Sequence, residues 1–162
     1  MIKVNYRVDK VIENIKKIVD LSRNLEPVLL QIRGESSSKN TDTIIGGINA
    51  QFISQGSFFG SKWKALNKNY FHKKMKKYPG KTILRASDKL YKSVTVTNST
   101  GNVENLTWTR LIWGVSEDKI PYANYHMTGT KKMPARKFLG ITDRQRLQWK
   151  RLIGIYLTEV KT

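Results

Sequence analysis

Apolar residues recur at three- and four-residue spacing through the first third of the chain, and β-branched alternation begins only past residue 92. Helical periods first, a strand period later and a helical period again at the end give an α+β order, not an alternating βαβ one. In the first helix, Val8, Val11, Ile12, Ile15, Ile18, Val19 and Ser22 share a face, with Asp9 as N-cap and Lys10, Lys16 and Lys17 turned to water. It is expected to end near Ser22–Asn24. Asn24 then caps a second helix that tolerates Pro27 in its first turn and presents Val28, Leu29 and Ile32. Gly34–Asp42 reads as a loop or as the polar stretch of a longer helix. Helical spacing resumes at Ile44, Ile45, Ile48, Phe52 and Ile53, although Gly46 and Gly47 each weaken a helix by about 1 kcal/mol.

Beyond a turn at Gln55–Gly60, Trp63 and Leu66 lead into a lysine-rich helix over Asn69–Lys77 and a Pro79-Gly80 turn. A short helix is expected over Thr82–Lys92, a strand over Ser93–Asn98, a turn over Asn98–Asn102 and a partner strand over Leu106–Val115. Thr142 and Gln145 have capping-box spacing, opening a last helix that carries Leu147, Arg151, Ile153, Leu157 and Val160. The expected fold is a small antiparallel β-sheet packed against N-terminal helices and a C-terminal helix. It forms one domain over 1–162: a helical part (1–54), a β-sheet core with short helices (55–141) and the final helix (142–162).

The chain has 30 Lys and Arg against 12 Asp and Glu, a formal charge of +18, and no acidic residue between Asp42 and Asp88. Such a field draws polyanions, whether nucleic acid or an acidic protein surface; the plainer reading is a solvated lysine-rich face. No cysteine is present, which excludes disulfides and thiolate metal sites. Charges interrupt the first residues, Met1–Arg7, and no apolar run reaches the ~20 residues of a spanning helix. These features predict a soluble protein made and used in a cytoplasm, without a membrane partner.

Catalytic groups are not assembled in any recognisable pattern. His72 and His126 are far apart and lack acidic neighbours, Glu117-Asp118 reads as loop chemistry, and the glycines mark turns instead of phosphate cradles. The expectation is a non-enzyme without cofactor or metal. Pro121–Gly129 and Met133–Ile141 instead combine aromatics, turn glycines, a proline and an arginine. Tyr122, Tyr125 and His126 share a face if helical, and Gly129 suits a helix-ending left-handed residue. Arg136 offers five donors, either as an internal brace or to a neighbour. Trp63 reads as an anchor of its loop to the core, or as a binding aromatic.

Four segments occur in order: Gly60–Leu66 (GSKWKAL), Ile83–Ser93 (ILRASDKLYKS), Tyr122–Gly129 (YANYHMTG) and Pro134–Gly140 (PARKFLG). Their order and spacing resemble the phage virion morphogenesis family, the tail-completion proteins of tailed bacteriophages. Asp88 stands where that family usually has glycine. The resemblance implies a non-enzymatic structural subunit of the virion's head–tail junction, made in the host cytoplasm. Such a neck, tail-completion or tail-terminator protein closes into a homo-oligomeric ring, commonly a hexamer, through which DNA passes. Its partners would be neck, connector and tail-tube proteins. On this reading Trp63, Tyr122, Tyr125, Arg136 and Phe138 shape or form interfaces. Lys62, Lys64, Lys68, Lys73, Lys74, Lys76 and Lys77 would face genomic DNA or an acidic partner ring. The alternative is a free basic nucleic-acid-binding protein in which Trp63, Tyr70, Phe71 and Tyr78 stack bases.

Overall fold

The structure, a computed structural model, describes residues 8–158. It is an α+β fold whose helices run α1 (Val8–Arg23), α2 (Glu26–Arg33), α3 (Ile44–Ile53), α4 (Lys68–Lys77), α5 (Lys89–Thr95), α6 (Ala123–Thr128) and α7 (Asp143–Thr158). Between α5 and α6 lies one antiparallel pair, β1 (Asn102–Thr107) and β2 (Arg110–Val115). The first seven residues, the side chains of Val8, Asp9, Lys10 and Val11, and residues 159–162 with Val160 lie outside the described residues.

The core forms where the apolar stripes of α3 and α5 meet. Ile48 and Phe52 pack with Leu90 and Val94, and Trp63, Ile120, Ala123 and Phe138 close the cluster. Phe52 stands edge-on to Trp63 and Tyr91 at 5.5 and 5.2 Å between ring centroids. Burying side chains of this size stabilises a fold by about 1.5–3 kcal/mol each. The Gly46-Gly47 pair, unfavourable by propensity, is explained by close approach. A Cβ on Gly46 would lie 1.8 Å from the Asn40 carbonyl oxygen, and one on Gly47 would lie 2.2 Å from Gln145 Nε2.

Three expectations are corrected in the middle of the chain. Ser93–Asn98 is not a strand, because Ser93–Thr95 belong to α5. There Val94 is fully buried, while the Ser93 and Thr95 hydroxyls donate to the Leu90 and Tyr91 carbonyls at 2.8 and 2.7 Å. Core packing and these back-bonds overrule β-branched propensity. The expected strand Leu106–Val115 instead straddles a hairpin turn: Thr107 pairs with Arg110, leaving Trp108 and Thr109 as the tip. The short helix begins later than Thr82, since Leu84 and Asp88 have positive φ (62° and 58°) and interrupt any earlier start.

The hairpin rests on α5 and α2. Trp113 Nε1 donates to the Val94 carbonyl at 3.0 Å, and Arg33 pairs with Glu104 at 2.5 Å. Gly34–Asp42 is a loop, with Ser37 N bonded to the Thr95 carbonyl at 2.7 Å. Helix α7 packs on α1 and α2, away from the sheet. Its capping box is formed reciprocally: Gln145 N donates to Thr142 Oγ1 at 3.1 Å, and Thr142 N donates to Gln145 Oε1 at 2.9 Å. The apolar stripe of α1, in contrast, faces outward, with Ile12, Ile15 and Val19 exposed. No helix among the described residues is long and apolar enough to cross a membrane.

Candidate functional site

Residues 134–140 form an extended segment held between α6 and the Trp63 loop. Arg136 N donates to the His126 carbonyl at 2.6 Å, and Phe138 N approaches Met127 Sδ at 3.4 Å. On the other side, Trp63 Nε1 and Gln51 Nε2 both donate to the Lys137 carbonyl, at 3.1 and 2.7 Å. The turn that brings this segment back to α6 requires Gly129. Its φ is 79°, and a Cβ there would lie 2.7 Å from Ala135 N. Its positive φ is on the expected left-handed side, while its ψ of 174° lies outside the left-handed helical region.

Three of the five residues proposed to shape or form an interface therefore lie inside the subunit. Trp63 and Phe138 belong to the core cluster, and Arg136 is 4% exposed. They shape the segment from within and present no surface to a neighbour. Tyr122 (39%) and Tyr125 (56%) are exposed at the start and on the outer face of α6. Arg136 is the internal brace: its Nε and Nη2 donate to the Lys64 carbonyl at 3.2 and 3.0 Å.

The lysine run also divides. Lys62, Lys64, Lys68, Lys73, Lys76 and Lys77 are exposed, but Lys74 is 6% exposed and donates to the Thr82 carbonyl. Its place on α4 turns it inward, so it is not part of the basic outer face. Burial, more than any nearby charge, lowers its pKa; Asp88 opposes that shift and Arg136 adds to it. Tyr70 and Phe71 on the same helix remain exposed, whereas Trp63 and Tyr78 do not join them.

Lys74 and Arg136 both line a cavity of about 1000 Å³ between α4, the 83–90 segment, α6 and residues 132–136. His126 lines it too, and its Nδ1 is buried without a hydrogen-bond partner among the described residues. Burial, reinforced by the positive Arg136, lowers the His126 pKa, which keeps the imidazole neutral near pH 7. Burial likewise lowers the Arg136 pKa and raises that of Tyr122. Asp88 is the one carboxylate in the lining, and it is already engaged by Lys81 at 2.5 Å and Arg85 at 2.8 Å. Those bonds, Arg85's first, hold its pKa below the ordinary carboxylate value.

This lining is suited to holding an anion. It has no nucleophile paired with a base, and no group of three His, Cys, Asp or Glu that could hold a metal lies among the described residues. The cavity was not foreseeable from the sequence, because its walls come from four separate segments and its cations from three of them. The one local signal was the buried side of α4: Lys74 falls one turn before Tyr78, on a helix with no other strongly buried residue. Comparison with protein-family models, with characterised proteins and with solved structures finds no match to the chain.

Proposed function

We propose that this protein is a structural subunit of the head–tail junction of a tailed bacteriophage, assembling by head-to-tail contacts into a closed ring. The observation that carries the reading is the convergence of the four segments on which the family resemblance rests. Trp63, Leu90, Ala123 and Phe138, one from each segment, share one cluster, and Met127 of the third packs against it. Arg136 further joins the fourth segment to the first through Lys64.

Two further features support it. Asp88, at the family's usual glycine position, has φ 58° and ψ 5°, a conformation that glycine adopts without strain. The outward apolar stripe of α1, with Ile15 55% exposed, is the kind of surface that subunit contacts cover. The ring would take its neck, connector and tail-tube partners on its two faces, with the exposed lysines of α4 toward DNA or an acidic ring. Sedimentation and negative-stain microscopy of the purified protein, alone and mixed with tail tubes, test the proposal. Closed rings or tube-end caps are expected; a monomer at every concentration that never joins a tube would refute it.

A free nucleic-acid-binding role is the second reading, favoured by Tyr70 and Phe71 standing exposed among Lys68, Lys73, Lys76 and Lys77. It requires tight DNA binding by the lone subunit, with affinity falling steeply as salt rises. Weak binding by an isolated subunit removes it.

A further inference from the structure

We infer that the cavity between α4 and α6 is a docking site for an acidic peptide segment of a partner protein, one that inserts a carboxylate between apolar side chains. Two cations, Lys74 and Arg136, are buried in its lining, and neither is in an ion pair among the described residues. Buried charges are ordinarily paired, because a lone one forfeits hydration without compensation. Lys74 uses one N–H on the Thr82 carbonyl, and Arg136 Nη1 meets no acceptor among the described residues. His126 Nδ1, among the described residues, is a buried polar atom without a partner. Lys64, Lys68, Lys89 and Lys132 add positive charge to the lining. A carboxylate entering here would neutralise the two buried cations and accept their unused donors.

The walls choose the carrier. Leu66, Ile83, Leu84 and Met133 give the cavity apolar sides, which match peptide side chains next to an acidic residue. Duplex DNA carries its phosphates on a stiff, wide polar cylinder and cannot deliver one to cations this deeply buried. The volume is at the upper end of the ~300–1000 Å³ of small-ligand sites, enough for several side chains of an extended segment. This inference does not depend on ring formation, since a monomer would bind such a segment equally well.

The test uses the whole protein and two pools of short fluorescein-labelled peptides, with a central Glu flanked by Leu and Phe in one pool and Gln replacing that Glu in the other. Fluorescence anisotropy should show the Glu pool binding about tenfold or more tighter than the Gln pool. Lys74→Met should abolish that preference. In case that variant fails to fold, Lys68→Glu with Lys132→Glu, both exposed, should weaken the Glu pool while leaving the thermal melt unchanged. Equal binding of the two pools, no binding of either, or binding of only a short DNA duplex overturns the inference.

Discussion

Gln145→Ala should destabilise this protein far more than the loss of a helix cap would. The wild-type side chain is 1% exposed and satisfies three groups distant from the α7 backbone ladder or at its start. Its Nε2 donates to the Thr41 and Thr43 carbonyls at 3.0 and 2.9 Å, and its Oε1 accepts from Thr142 N at 2.9 Å. Truncation orphans the Thr41 carbonyl and the Thr142 amide, while the Thr43 carbonyl keeps its bond from Gly47 N at 2.9 Å; each group left without a partner costs about 1–3 kcal/mol. Water entering the vacated space relieves part of this, so the expected loss is about 2–4 kcal/mol. An ordinary cap removal costs about 1 kcal/mol. For a chain of this size that loss lowers the melting temperature by about 4–16 °C. Urea unfolding followed by tryptophan fluorescence is the suitable assay, because Trp149 Nε1 is bonded to the Asp42 carbonyl in the same loop. The midpoint should fall with an unchanged slope. A loss of only about 1 kcal/mol, equal to that of Thr142→Ala, would show that the loop contacts contribute nothing and would refute the argument.

Two glycine substitutions should act in opposite directions. Gly47→Ala should destabilise despite its better helix propensity, since its Cβ would meet Gln145 Nε2, whereas Gly154→Ala, with open space around it, should stabilise by about 1 kcal/mol; equilibrium unfolding of both checks this, and matching signs would contradict it. Reversing the charge of Lys73, Lys76 and Lys77 should leave a cooperative melt, while Lys74→Glu should abolish it, as read by circular dichroism on heating. Acid should weaken the fold in two windows. Because burial depresses the native His126 pKa, the unfolded chain takes up that proton first, and stability falls as pH drops through the ordinary histidine value of 6.5 toward the lower native one. The contribution of Asp88, held down chiefly by its Arg85 bond, is present above the ordinary 3.8 and is lost as pH falls through its native pKa. His126→Gln should flatten the first window in urea titrations across pH, and an unchanged slope would count against the assigned burial.

What the sequence determined by itself is what short-range physics can encode. The 3.6-residue spacing of Ile45, Ile48 and Phe52 specifies α3, and Thr142 with Gln145 specifies where α7 begins, because both relations close within a turn or two of backbone. The lysine-rich, acid-free stretch likewise announces a basic surface. Tertiary structure decided the rest. Ser93–Thr95 are helical because Val94 fills a space between elements that are distant in sequence, and Trp108-Thr109 turn without any glycine or asparagine to mark them. A linear reading leaves Trp63 and Arg136 open between internal and surface roles and puts Lys74 on the basic face, yet all three end inside the subunit with Phe138. Burial depends on which chains pass nearby, and no local pattern carries that information. The cavity that collects Lys74, His126 and Arg136 exists only once four separate segments have packed together.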